Sequence, residues 1–249
     1  MEKLSKIKNF LDKELKIKSI EDSSKNGLQV KSNKEIKKIG FAVDACMSTI
    51  ERAKKSKVDL LIVHHGIKWA GLKDSMQLKK KTIELLNGCN MSLYACHLPL
   101  DKHEKYGNNI QLAKILDLKN IKKFGKYHSK SIGYKGEFKK PLSIKQLTNK
   151  LNDLLKTQCT TFNFGKKQIK SIGIVSGGGS SALKESLNLD CFLTGDALYH
   201  IVIATRDLNH NMILARHYAT ETLGVKALMP ILKEKFNIST IFINNDTGV

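Results

Sequence analysis

The chain predicts an α/β fold made of two related units, and three observations predict it. First, Leu60-Leu61-Ile62-Val63 is an unbroken apolar run ending in His64-His65-Gly66, as a strand buried on both faces of a parallel sheet does. Second, short runs of this kind alternate with helix-length amphipathic segments, the pattern of successive βαβ units. Third, the order strand, helix, strand, helix, strand occurs twice, with polar residues at the strand ends each time. Val63 lies 20 positions after Val43, and Thr194 lies 19 after Val175. The expected partition is residues 1–118 as the first unit, 119–168 as an inserted segment and 169–249 as the second unit.

Taken in order, Met1 to Lys18 sets lysines between Leu4, Ile7, Leu11 and Leu15, an amphipathic helix rather than the continuous apolar core of a signal peptide. Glu21 to Val30 holds an Asn-Gly turn signal and reads as a loop packed on a core. Ile36 to Val43 is a strand ending at Asp44, followed by a helix that Ser48 can cap. The His64-His65 strand comes next. A helix over Ser75 to Asn87 has serine at its start and Gly88 past its end. Met91 to Cys96 is a strand, followed by His97-Leu98-Pro99-Leu100-Asp101, and Asn108 to Asp117 is a helix. Residues 119–168 break the rhythm with a strand over Ser131 to Phe138, a Ser143-started helix to Leu155 and β-like pieces near Thr160 to Phe164. The rhythm returns with Ile172 to Val175, a glycine run from Ser176 to Ser181, and a helix to about Asn188. Strands over Cys191 to Thr194 and Met212 to Ala215 flank a helix from Ala197 to Arg206. A helix then starts near His217, and Ile238 to Ile243 closes the chain as a strand.

Composition narrows the function classes. The 249 residues are 41% hydrophobic, enough for a sizeable core. No apolar run approaches the roughly 18–20 residues of a spanning helix, so no membrane partner is expected. The formal charge of +20 invites a nucleic-acid partner, yet only three of the 43 basic residues are arginine. Arginine forks dominate base-edge and phosphate recognition, so scattered lysine reads first as a compositional bias. The five cysteines include no Cys-x-x-Cys pair, which fits a reducing cytoplasm.

Three strand ends present metal-ligand types: His64 with His65, His97 with Asp101, and His217 with Glu221. Adjacent side chains of a strand point apart, so His64 and His65 reach one site only where the strand breaks, which Gly66 allows. His217 and Glu221 stand four apart at a helix start and share one face. Carboxyl ends of parallel strands are where open α/β sheets bind ligands. Imidazoles with carboxylates form a mixed nitrogen and oxygen set suited to zinc, iron or manganese. Five or six ligands exceed one four-coordinate ion with an open position and would serve two. The plain alternative is that each strand end carries solvated polar residues. The glycine run offers amides that could hold a phosphate, or is a tight strand-to-helix turn; no Walker sequence follows.

Together these runs resemble the NIF-three-like dinuclear-metal proteins, often labelled GTP cyclohydrolase I type 2 homologues. The motifs are His64-His65-Gly66-Ile67-Lys68-Trp69, His97-Leu98-Pro99-Leu100-Asp101 with Gly107-Asn108-Asn109, and Ser176 to Ser181. Leu193-Thr194-Gly195-Asp196, His217-Tyr218-Ala219-Thr220-Glu221 and Asn26-Gly27-Leu28-Gln29-Val30 complete them. The likeness runs from about residue 20 to the C-terminus and is weakest across 119–168. It implies two α/β units in a toroidal homohexamer with two divalent metal ions (zinc, iron or manganese) at the junction of the units. By position the ligands would be His64, His65, Asp101, His217 and Glu221, one carboxylate bridging. His97 would face substrate and is the catalytic candidate for moving a proton. Arg216 stands where a small residue is usual, so it would crowd the pocket or attract an anionic substrate. Asp196 stands where glutamate is common.

Three function classes follow. One is a metal-dependent hydrolase of a purine nucleotide or another anionic small molecule. The second is a nucleic-acid-binding ring, marked by steep salt dependence. The third is a metal-binding scaffold or regulatory protein without turnover.

Overall fold

A computed structural model describes residues 1–69 and 76–248. The elements begin with α1 (Leu4–Glu14), β1 (Gly27–Val30), β2 (Lys38–Asp44), α2 (Met47–Lys55), β3 (Leu60–His65), α3 (Met76–Gly88) and β4 (Ser92–Ala95). Then come α4 (Leu98–Asp101), α5 (Asn108–Ile115), β5 (Lys119–Tyr127), β6 (Lys130–Ser143), α6 (Ile144–Leu155) and β7 (Thr160–Asn163). The chain ends with β8 (Gln168–Val175), α7 (Leu183–Ser186), β9 (Cys191–Thr194), α8 (Tyr199–Asp207), β10 (Asn211–Leu214), α9 (His217–Phe236) and β11 (Ser239–Phe242). Ser75, the expected helix start, lies outside the described residues.

Two compact units form. The first comprises Met1–Leu100 and Gly224–Asn245, the second Asp101–Leu223 and Asp246–Val249. In the first, a sheet runs in the order β1-β4-β3-β2-β11, with β1 antiparallel to β4 and the other pairs parallel. Leu61 lies opposite Gly40 and Leu93. Every residue of β3 up to His64 is buried, as expected for a central parallel strand covered on both faces. Ala42, Ile50, Leu61, Val63, Leu86 and Leu93 pack in its core. Register sets the strand ends: Asp44 closes β2 directly opposite His65 at the end of β3.

The second unit's sheet has the order β5-β6-β8-β9-β10-β7, a parallel trio β8-β9-β10 flanked by antiparallel strands. Ile174 and Ile213 face Leu193 across the trio. Both units thus centre on a parallel trio built from strand, helix, strand, helix, strand, the relationship the sequence predicts.

Four details differ from the sequence expectation. Residues 119–168 supply β5, β6 and β7 to the same sheet as β8, β9 and β10. The closing strand β11 pairs with β2, Thr240 opposite Ile39, and so extends the first sheet. The Asn26-Gly27 stretch opens an edge strand rather than remaining loop; Gly27 takes φ +99°, where glycine carries no steric cost. Finally, the glycine run leads only into a 3-10 turn (Gly179–Ala182) and the four-residue α7.

Candidate metal centre

In the first unit the end of β3 delivers two imidazoles to one place. The His64 and His65 ring centroids stand 4.7 Å apart, and that of His97 lies 5.1 Å from His64 and 5.5 Å from His65. One ring nitrogen from each of the three falls within 4.8 Å of the others. Gly66 is required at the break, because a Cβ there would run into the Gln29 amide.

Each ring is held from its Nδ1 side. His64 Nδ1 donates to the Cys96 carbonyl at 2.9 Å, His65 Nδ1 to Asp44 Oδ1 at 2.8 Å, and His97 Nδ1 to Asp22 Oδ1 at 2.8 Å. A carbonyl or carboxylate can only accept, so each neutral ring carries its proton on Nδ1 and its lone pair on Nε2. This is the arrangement in which metal-ligating histidines are found. The loop before β1 builds the His97 support. Asp22 Oδ2 accepts the Leu98 N–H at 3.0 Å, and Asn26 Oδ1 accepts the His97 N–H at 2.7 Å. Burial works to raise the Asp22 pKa, but His97 and the surrounding N–H donors outweigh it and hold the carboxyl below its usual range. Trp69 packs against His97 with ring centroids 5.0 Å apart, its Nε1–H donating to the Gly66 carbonyl at 2.7 Å.

In the second unit the carboxylates of Asp101 and Glu221 are buried, at 5% and 2% exposure. Buried charge needs compensation. Asp101 Oδ1 accepts from Asn108 Nδ2 at 2.9 Å and Ser176 Oγ at 3.0 Å, and an oxygen of each carboxylate lies within 4.8 Å of the other. His217 Nε2 meets Glu221 Oε1 at 3.2 Å across one turn of α9, while its Nδ1 donates to Asp196 Oδ2 at 2.6 Å. Burial disfavours the charged form of His217, but Asp196 and Glu221 outweigh it and the pKa rises to about 10. That is a place prepared for positive charge, either a proton or a bound cation.

The glycine run packs its backbone against this group. Gly177 takes φ +59°, and a Cβ there would run into the Glu221 carboxylate. The Ser176 and Gly177 amides donate to Asn109 Oδ1 at 2.6 Å and Thr220 Oγ1 at 3.0 Å. The start of the run is therefore a tight turn, not an open phosphate cradle. Arg216 also differs from expectation. Its Nε and Nη1 donate to the Gln158 and Gly248 carbonyls, both at 3.1 Å, so the guanidinium is engaged with backbone.

The first unit thus brings together His64, His65 and His97; the second brings together Asp101, His217 and Glu221. The donor sets fit a divalent cation of the zinc, iron or manganese type: neutral imidazole nitrogens with orienting partners, and carboxylate oxygens. Sequence reasoning assigned no role to the three acceptors Asp22, Asp44 and Asp196. A signal existed for Asp44, which ends the strand before the histidine pair.

The model of a family described as Duf34/NIF3 (NGG1p interacting factor 3) matches residues 2–248. A Pyrococcus horikoshii protein named "GTP cyclohydrolase 1 type 2 homolog" is 45% identical over 245 residues, 98% of this chain and 98% of that one. Among solved structures, TTHA1606 from Thermus thermophilus matches with a TM-score of 0.89 at 32% identity, covering 98% of this chain and 99% of that chain. A structural-genomics protein described as "ybgI, unknown function" matches with a TM-score of 0.91 at 26% identity, with the same coverage. The chain belongs to the Duf34/NIF3 family.

Proposed function

We propose that the protein binds two divalent cations and hydrolyses an anionic small molecule of the nucleotide class. The supporting observation is that four imidazoles, His64, His65, His97 and His217, each have Nδ1 fixed by a carbonyl or carboxylate acceptor. Structural histidines need no such uniform orientation. The residues that would hold the ions are His64, His65, Asp101, His217 and Glu221. When bound, paired ions activate water and stabilise charge on the attacking and leaving oxygens.

The protein's own groups do the rest. Asp44, Asp196 and the Cys96 carbonyl hold the ligating rings in one tautomer and one orientation. Asn108 and Ser176 hold Asp101 Oδ1. His97 Nε2 takes up or delivers a proton, because an imidazole can serve as base or as acid, and Asp22 stabilises the ring while it is charged. GTP is the first substrate to test, a choice that rests on the name of the Pyrococcus horikoshii relative. A homohexamer is the proposed assembly.

The test uses protein purified without chelator. Metal analysis should give about two divalent ions per chain, with at least one lost in His65→Ala and in Glu221→Ala while the fold persists. Hydrolysis across a panel of nucleotides and phosphoesters should stop on chelation and return with manganese, iron or zinc. His97→Ala should keep its metal and lose most turnover. Full metal occupancy in both ligand variants would refute the ligand set, and metal-replete protein inactive across the panel would refute the hydrolase.

A further inference from the structure

We infer that a pocket beside His65 receives a flat heteroaromatic ring bearing N–H donors, the ring-containing part of the substrate. The inference rests on the hydrolytic reading of the neighbouring His65. The pocket has a volume of about 310 Å³, the lower end of the roughly 300–1,000 Å³ usual for small-molecule sites, so it suits a ring rather than a whole nucleotide. Its walls are Ala45, Met47, Ile67, Trp69 and Leu78, with Asp44 beside His65. Met47 and Leu78 are exposed apolar side chains, 39% and 57% accessible, on surface that a ligand would cover.

The polar groups of the lining are largely engaged. Trp69 Nε1 donates to the Gly66 carbonyl, Thr82 Oγ1 to the Leu78 carbonyl at 2.8 Å, and Cys46 Sγ contacts the Ser48 and Thr49 hydroxyls. Asp44 meets His65 through Oδ1, and among the described residues no hydrogen bond engages its second oxygen, which can accept one. The slot is mainly apolar, with the Asp44 carboxylate and the Lys79 ammonium among its lining groups. It favours a π-system that stacks on apolar and indole surfaces and presents a ring N–H or amino group to Asp44. Trp69 links the pocket to the histidines, with ring centroids 5.7 Å from His65 and 5.0 Å from His97. A ring held there is anchored beside the groups proposed to do the chemistry.

Trp69 is the chain's single tryptophan, so intrinsic emission reports directly on this wall. The protein is titrated with guanosine, which has the ring and no phosphate, and with ribose 5-phosphate, which has the reverse. Guanosine should quench Trp69 saturably and ribose 5-phosphate should not. Ala45→Leu, which adds bulk to the lining, should weaken guanosine binding by at least about tenfold, equivalent to about 1.4 kcal/mol. Met47→Ala combined with Leu78→Ala should also weaken it severalfold, and the exposure of both side chains makes this pair safe for folding. Equal quenching by ribose 5-phosphate, no saturable response to guanosine, or unchanged guanosine affinity in the doubly truncated protein would overturn the inference. Because no turnover is needed, the two readings separate. A protein that binds guanosine but hydrolyses nothing keeps the pocket and loses the hydrolase; phosphoester hydrolysis without a guanosine response does the opposite.

Discussion

An imidazole becomes a dependable ligand only when its other nitrogen is held, and here the holders differ in kind. His64 relies on the Cys96 backbone carbonyl, whereas His65, His97 and His217 rely on Asp44, Asp22 and Asp196. A backbone holder cannot be removed by substitution, but a carboxylate can. Asp44→Ala should therefore lower metal affinity by about 10–100-fold, the usual cost of losing such an orienting partner, while Asp44→Asn keeps an acceptor oxygen and should lose less. Competition against a chelator of known affinity measures both, and wild-type affinity in Asp44→Ala would show that His65 needs no orientation. The ligand types were legible in the sequence because histidines and carboxylates fell at three separate strand ends. Their holders were harder to read. A lone aspartate has no spacing signature, and Asp44 acquires its role only because β2 and β3 are parallel and in register, Asp44 facing His65. Asp22 acquires its role through a loop, where periodicity says nothing.

At the level of elements, carboxylates also fasten strands. Asp190, at the entry to β9, accepts from Lys166 Nζ at 2.7 Å, from the Lys170 and Ser171 amides at 3.0 and 2.9 Å, and from Ser171 Oγ at 3.0 Å. Burial works to raise its pKa, but Lys166 and the Ser171 and Lys170 donors prevail and hold it down at about 2. A depressed folded-state pKa contributes stability above the unfolded value of about 3.9, and that contribution is lost as pH falls through about 2. Asp190→Ala should cost about 2–3 kcal/mol at pH 7, given several hydrogen bonds to one charged group. Urea unfolding at pH 7 and near pH 2 tests this, the difference between wild type and variant shrinking at the lower pH; a constant difference would deny the linkage. Sequence made the parallel strands plain, because strands covered on both faces are continuous apolar runs. It hid β5, where Lys119, Lys122, Lys123 and Lys126 break any apolar alternation, as an edge strand permits. The helix over Ser143 to Leu155 was legible for the opposite reason: Ser143 and Gln146 form a reciprocal capping box whose signature is local.

At the level of the whole molecule, two surface properties pull in different directions. A charge of +20 resists association between copies, while α8 carries exposed apolar side chains, Tyr199 at 80% and the preceding Leu198 at 65%. Lysines scattered along the chain let copies meet through a less charged face and be screened elsewhere at physiological salt, where the Debye length is about 8 Å. The proposed hexamer needs such a face, and Leu198 with Tyr199 offers one in the second unit. Light scattering should give about six times the chain mass of 27.9 kDa, rising or holding as salt screens repulsion. Tyr199→Asp combined with Leu198→Asp should lower the measured mass without loss of secondary structure, because neither side chain is buried within the chain. A wild-type mass of one chain would remove the ring. An unchanged mass in the double variant would keep the ring but move the contact away from α8. Should binding to a mixed-sequence duplex instead persist with a steep log–log salt slope, the lysines would be neutralising phosphates and the nucleic-acid alternative would gain what the hydrolase loses.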